Sequence, residues 1–136
     1  SFEDNGYTRE EMKMVWETKK ILGDENVLVN PTAVRVPVFF GHGESLHIET
    51  GSPISAEEVK DLLEQAPGIV VCRNDEDFPT QIGDASGKDE TYVGRIREDL
   101  SHPNGINMWI VADNVRKGAA TNSIQIAELL IKEYLS

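Results

Sequence analysis

Val29-Asn30-Pro31-Thr32-Ala33-Val34-Arg35-Val36-Pro37-Val38-Phe39-Phe40-Gly41-His42-Gly43 is the stretch around which the rest of the chain is organised. From Val34 to Phe40 apolar and other residues alternate, the two-residue period of a strand with one buried face. The period predicts Val34, Val36, Val38 and Phe40 on one side, and Arg35, Pro37 and Phe39 on the other. A guanidinium opposite the valines requires water or an anionic partner. Gly41 and Gly43 then permit backbone angles closed to other residues and leave His42 unshielded on a turn. An anion-binding fork and a proton-exchanging imidazole thus sit seven residues apart. An edge strand with a surface arginine and a loop histidine satisfies the same pattern, so the pair alone does not decide the chemistry.

Working outward, Thr8 followed by Glu11 forms a capping box that opens a helix to about Leu22, with Met12, Val15, Trp16 and Leu22 as its stripe and Gly23-Asp24 as its stop. Glu17 and Lys20, three apart, share a face of it. A solvated ion pair accounts for them equally well. Ser45–Thr50 reads as a strand, and a second capping box, Ser55 with Glu58, opens a helix that stops before Pro67-Gly68. Ile69–Cys72 is a short strand. Arg73–Asp89 is loop-like, with acidic Asn74-Asp75-Glu76-Asp77 and turn-forming Gly83–Gly87, a solvated excursion or an arm for a partner subunit. Thr91–Arg97 and Ile106–Ala112 are strands joined by the turn Ser101–Gly105, where His102 is a surface residue. In the first of these, Tyr92, Gly94 and Ile96 alternate against Val93, Arg95 and Arg97. Ala119–Leu135 is a terminal helix whose apolar positions cover more than one stripe, so it needs a second body to bury against. The predicted class is α+β, a mostly antiparallel, mixed sheet with helices on one face, within a single domain spanning all 136 residues.

Composition narrows the partners. A formal charge of -11 and a pI near 4.6 argue against nucleic acid, which is bound through lysines and arginines that displace counterions. No apolar run approaches the ~20 residues of a membrane span. The start at Ser1, without Met and without a secretion signal, reads as a cut. The lone Cys72 follows an apolar run, as an inert thiol does, and fits a reducing cytoplasm. His42 and His47 lack a third ligand at suitable spacing, which excludes zinc, and the acidic loop lacks the carboxylate spacing of a calcium site.

Val29-Asn30-x-x-Ala33-x-Arg35-Val36-x-x-x-x-Gly41-His42 resembles the active-site signature of the aspartate-semialdehyde dehydrogenases. Trp16-Glu17-Thr18-Lys19-Lys20 and Asp113-Asn114-Val115-Arg116-Lys117-Gly118-Ala119-Ala120 are similar to two further segments of that family. The likeness extends over essentially the whole chain, as the C-terminal part of the family's sequence. Ala33 departs from it where a cysteine is usual, and Gly43 where a small residue with a side chain is usual.

The resemblance implies a fold like the C-terminal domain of the glyceraldehyde-3-phosphate dehydrogenase-like enzymes. The implied reaction is NADPH reduction of L-aspartyl 4-phosphate to aspartate 4-semialdehyde and phosphate through a thioester, a cytoplasmic step toward lysine, methionine and threonine. His42 matches the acid/base, Arg35 the substrate carboxylate clamp, Glu17 the partner of the substrate amino group, Lys20 a phosphate ligand, and Asn114 a position touching the nicotinamide end of NADP. The resemblance also implies a homodimer, with the terminal helix returning to a nucleotide-binding domain. These residues hold no Gly-x-Gly-x-x-Gly turn, and Cys72 does not match the nucleophile, so the 136 residues alone are expected to be inactive. Two alternatives stand beside this. An N-acetylglutamyl-phosphate reductase is disfavoured by Glu17, because an acetylated amine carries no charge for it to pair. A non-catalytic dimerisation module is disfavoured by the joint presence of Arg35, His42, Glu17 and Lys20.

Overall fold

A computed structural model describes residues 1–74, 76 and 78–135. Asp75 and Asp77 of the predicted acidic arm lie outside the described residues. The chain divides into two compact units, Ser1–Pro37 and Val38–Ser136.

The first unit is built on helix α1, Arg9–Leu22. Thr8 and Glu11 close the predicted capping box, and Gly23 ends the helix in the left-handed conformation at φ 67. Glu11 does more than cap. One of its oxygens accepts from Thr8 N–H at 2.7 Å and the other from Ala33 N–H at 2.8 Å. With Tyr7 donating to Asn30 at 2.8 Å and Lys19 to the Glu25 carbonyl at 2.8 Å, the segment after the helix is held alongside it.

The predicted strand Val34–Phe40 does not form: residues 27–41 are irregular. Val34 is 76% exposed and Phe39 97%. Alternation specifies which face a strand would bury, and it supplies no neighbour to pair with. Pro31 and Pro37 each remove a ladder donor, so the segment runs without strand partners.

The second unit is a four-stranded sheet in the order β1-β4-β3-β2, with β1 His42–Glu49, β2 Ile69–Cys72, β3 Thr91–Glu98 and β4 Gly105–Ala112. β1 and β3 flank β4 antiparallel, and β2 runs parallel to β3. The mixed, mostly antiparallel sheet agrees with the sequence. Helix α2, Ala56–Glu64, capped by Ser55 and Glu58, covers one face, where Val93, Ile96, Ile106 and Met108 form the buried core with Leu46, Val59, Leu63 and Ile69 around them. Burying each such side chain contributes roughly 1.5–3 kcal/mol.

Simple alternation along β3 fails at one point. Register slips between Gly94 and Arg97, and Arg95 sits at φ 54, the left-handed region that a β-bulge tolerates. The extra residue puts Val93 and Ile96 on the same core face, where an unbroken period of two separates them. Nor is Arg73–Asp89 all loop. Gln81–Ala85 forms one π-helical turn, capped by Thr80. The Trp109 indole N–H donates to the Pro79 carbonyl at 2.8 Å and ties this turn to the face opposite α2.

After β4 the chain is helical from Arg116: a π turn Arg116–Ala120, helix α3 Thr121–Leu130, and a π turn Ile131–Leu135. It has no buried residue, and Ile124, Leu129, Ile131 and Tyr134 are all exposed. No described helix is long and apolar enough to cross a membrane.

Candidate functional site

Arg35, Glu17 and Lys20 belong to the first unit. Glu17 and Lys20 are exposed on the second half of α1, and neither forms an ion pair or hydrogen bond among the described residues. The solvated Glu17–Lys20 bridge that their spacing permits is therefore not made. Arg35 is also exposed and without a carboxylate partner among the described residues. Its backbone is placed by Ala33, two residues earlier, whose N–H is held by Glu11. A carboxylate, an ammonium and a guanidinium thus remain uncommitted within one small unit. Its cap fixes the helix and its Glu11 fixes the strap that carries the arginine.

The Ala33 bond, with the two from Thr8, holds the Glu11 carboxyl below the usual carboxylate range. Capping-box spacing announced the Thr8 bonds. Nothing in the sequence announced the one to Ala33.

In the second unit, His42 is the first residue of β1, paired with Ala112, and not a turn residue beyond a strand. Its imidazole is exposed and has no bonded partner among the described residues. The glycines on either side serve different ends. Gly41 is in the left-handed region at φ 90, as the turn reading requires. Gly43 has ordinary strand geometry and is glycine for lack of room: a β-carbon there would lie 2.5 Å from Trp109 Cη2 and 2.5 Å from Gln81 Nε2.

Asn114 stands just past the end of β4. Its side-chain oxygen accepts from the Gly41 N–H at 2.9 Å, which brings two of the sequence-predicted site residues, His42 and Asn114, to one place. The preceding Asp113 is only 5% exposed and gathers three backbone donors: Gly87 at 2.8 Å, Val115 at 2.8 Å and Arg116 at 3.0 Å. Those bonds, Gly87 first, hold its carboxyl below the usual range. Asp89 braces the start of the terminal helix. It accepts from Arg116 Nε at 2.7 Å and Thr121 Oγ1 at 2.8 Å, and Arg116 chiefly depresses its pKa to about 2.

Several other titratable groups are engaged structurally. His47 Nε2 lies 2.5 Å from Asp99. Asp99, bonded first by the Ser101 N–H, titrates at about 2. His102 Nδ1 accepts from the Asn104 N–H at 3.3 Å, a turn contact that fits its reading as a surface residue. Arg73 draws together Glu57, Asp61 and Glu64 on one side of α2. Among the described residues no group of three or more His, Cys, Asp or Glu could hold a metal ion.

A family model described as semialdehyde dehydrogenase, dimerisation domain, matches residues 1–117. The chain is 65% identical over 133 residues to aspartate-semialdehyde dehydrogenase 2 of Vibrio cholerae, covering 98% of this chain and 39% of that protein. It is 60% identical over 136 residues to aspartate-semialdehyde dehydrogenase of Legionella pneumophila, again with 98% and 39% covered. The crystal structure of aspartate semialdehyde dehydrogenase II complexed with ASA from Vibrio cholerae superposes with a TM-score of 0.94 at 64% identity, over 98% of this chain and 40% of that one. An aspartate-semialdehyde dehydrogenase structure from Francisella tularensis, only 26% identical, still gives a TM-score of 0.86 over 96% of the chain. The chain spans about 40% of the length of these relatives.

Proposed function

The chain belongs to the semialdehyde dehydrogenase dimerisation-domain family, and from that premise we propose that it is the substrate-binding and dimerising part of an NADP-dependent aspartate-semialdehyde dehydrogenase. Within a longer chain it serves the reductive dephosphorylation of L-aspartyl 4-phosphate in the cytoplasm. The observation that carries the reading is the presence of His42, Arg35, Glu17 and Lys20 with their side chains exposed and uncommitted in a chain this similar to named dehydrogenases.

The roles follow from the chemistry of each group. Arg35 presents a planar fork that pairs bidentately with the substrate carboxylate and orients it as well as attracts it. Glu17 pairs with the substrate ammonium, and Lys20 with the phosphate. His42 accepts the proton of a cysteine thiol supplied by the remainder of the enzyme as that thiol attacks the acyl phosphate, and phosphate departs with the bonding pair. The Asn114 carboxamide N–H groups, without a partner among the described residues, suit the carboxamide oxygen of a nicotinamide. When bound, that cofactor supplies the hydride. The apolar terminal helix packs on the nucleotide-binding part of the enzyme, and two copies of the domain pair as a homodimer.

The test uses the full-length protein. His42→Ala is expected to lower kcat by ~10²–10⁴-fold, the range for loss of a positioned acid/base. Arg35→Lys is expected to raise the substrate KM while leaving the cofactor KM unchanged. Intact dimers with an undiminished rate in His42→Ala would support a non-catalytic module instead.

A further inference from the structure

We infer that Asn114 is a positioning residue for His42, aiming the imidazole through the backbone of Gly41, a role distinct from any contact with a cofactor. The inference rests on the reading of His42 as the acid/base and deepens it.

The Gly41 N–H donates to the Asn114 side chain at 2.9 Å, across 73 residues of sequence. A backbone N–H can only donate, so the atom facing it is the carboxamide oxygen. That oxygen is committed to the protein, and the amide nitrogen keeps its two donors.

Three features make this bond the one that aims His42. The imidazole makes no hydrogen bond of its own among the described residues, so its direction comes from the backbone beneath it. That backbone is entered from residues 27–41, which pair with no strand, and the last of them is a glycine at φ 90 with wide conformational freedom. The Asn114 bond fixes that glycine. The anchor is itself rigid: Asn114 follows Ala112, which pairs with His42 in the β1–β4 ladder, and Asp113, pinned by three backbone N–H groups.

Gln81 closes the other side. A β-carbon on Gly41 would lie 3.0 Å from Gln81 Cβ, and one on Gly43 would lie 2.5 Å from Gln81 Nε2, so the glutamine runs past both neighbours of His42. A misplacement of about 1 Å in a reacting group costs on the order of 10²-fold in rate.

Asparagine and aspartate separate the two roles. In the full-length enzyme, Asn114→Ala removes both the acceptor and the donors, whereas Asn114→Asp keeps an acceptor for Gly41 and removes the donors. Expected for Asn114→Ala is a ~10–100-fold loss of kcat with the substrate KM within about threefold, and faster exchange of the Gly41 amide proton. Expected for Asn114→Asp is recovery of kcat to within about fivefold of the parent and restored Gly41 protection, with whatever change in cofactor KM the lost donors bring. Equal kcat losses in the two variants, or an undiminished kcat in Asn114→Ala, overturn the inference. His42→Ala, measured alongside, separates the two readings. A full rate there sinks the acid/base assignment, while a lost rate there with a full rate in Asn114→Ala sinks only the positioning role.

Discussion

Gly43→Ala tests one of the tight approaches in the sheet. Gly43 is the diagonal neighbour of Trp109 across β1 and β4, since Ser45 pairs with Trp109 directly. The added methyl would lie 2.5 Å from Cη2 and 2.8 Å from Cζ2 of the indole, against an ordinary carbon–carbon contact of about 3.5–4.0 Å. Gln81 Nε2, also 2.5 Å away, is the end of a flexible side chain and can move aside cheaply. The indole cannot, because its N–H is bonded to the Pro79 carbonyl at 2.8 Å. Displacing it by an ångström takes it off rotamer at about 0.5–1.5 kcal/mol and weakens a hydrogen bond of about 0.5–1.5 kcal/mol. The sum, about 1–3 kcal/mol, matches the usual cost of overpacking a filled site.

Hydrogen exchange of the β1 and β4 amides in the full-length protein reads this locally. At tenfold per 1.4 kcal/mol, the expected loss of protection is about 5–150-fold. Trp109→Phe removes the offending benzo carbons, so the double variant should lose less than the sum of the two single variants by at least about 1 kcal/mol. Unchanged exchange in Gly43→Ala, or strict additivity with Trp109→Phe, refutes the reasoning.

Acid sensitivity follows from Asp89 and Asp99, both lowered from 3.8 to about 2 in the folded chain. A carboxylate depressed on folding contributes stability above its unfolded value and loses it as pH falls through the folded one, so their contribution fades between about pH 4 and 2. The stability difference between the parent and Asp89→Asn/Asp99→Asn, followed by circular dichroism, should shrink across that window. A difference constant down to pH 2 contradicts the assignment. Thr8→Ala should weaken the first turn of α1 by about 1 kcal/mol, seen as roughly fivefold faster exchange there. Glu11→Ala should expose the Ala33 amide as well, seen as faster exchange there, because it removes the acceptor of both the Thr8 and the Ala33 N–H groups. Ile126→Glu with Ile131→Glu, on the exposed terminal helix, should leave β3 and β4 protection within about twofold, since neither side chain joins the core, while binding of a hydrophobic dye falls. Loss of sheet protection would show that the helix stabilises the unit after all.

Local chemistry made much of the fold legible. Both capping boxes stand where Thr8-x-x-Glu11 and Ser55-x-x-Glu58 place them, and the β3–β4 hairpin follows its turn residues. What the sequence hid depends on neighbours it does not name. Val34–Phe40 has the period of a strand but no partner, and Pro37 removes one of the donors that pairing needs. The bulge at Arg95 moves Ile96 to the core face, and no glycine or asparagine marks that left-handed residue in advance. His42 and Asn114 could each be singled out as site residues, yet the hydrogen bond through Gly41 that links them spans 73 residues and leaves no local pattern. Gly43 read as flexible, when its meaning is the indole lying over it.

Asp113 and Asp89 together determine where the terminal helix points. One gathers the amides at its base, and the other clamps Arg116 and Thr121 in its first turns, before a single apolar side chain has been covered. The greasy surface is therefore aimed by polar bonds at its root. A body that comes to cover it meets a bracket already set, and little of the ordering entropy of docking is left to overcome.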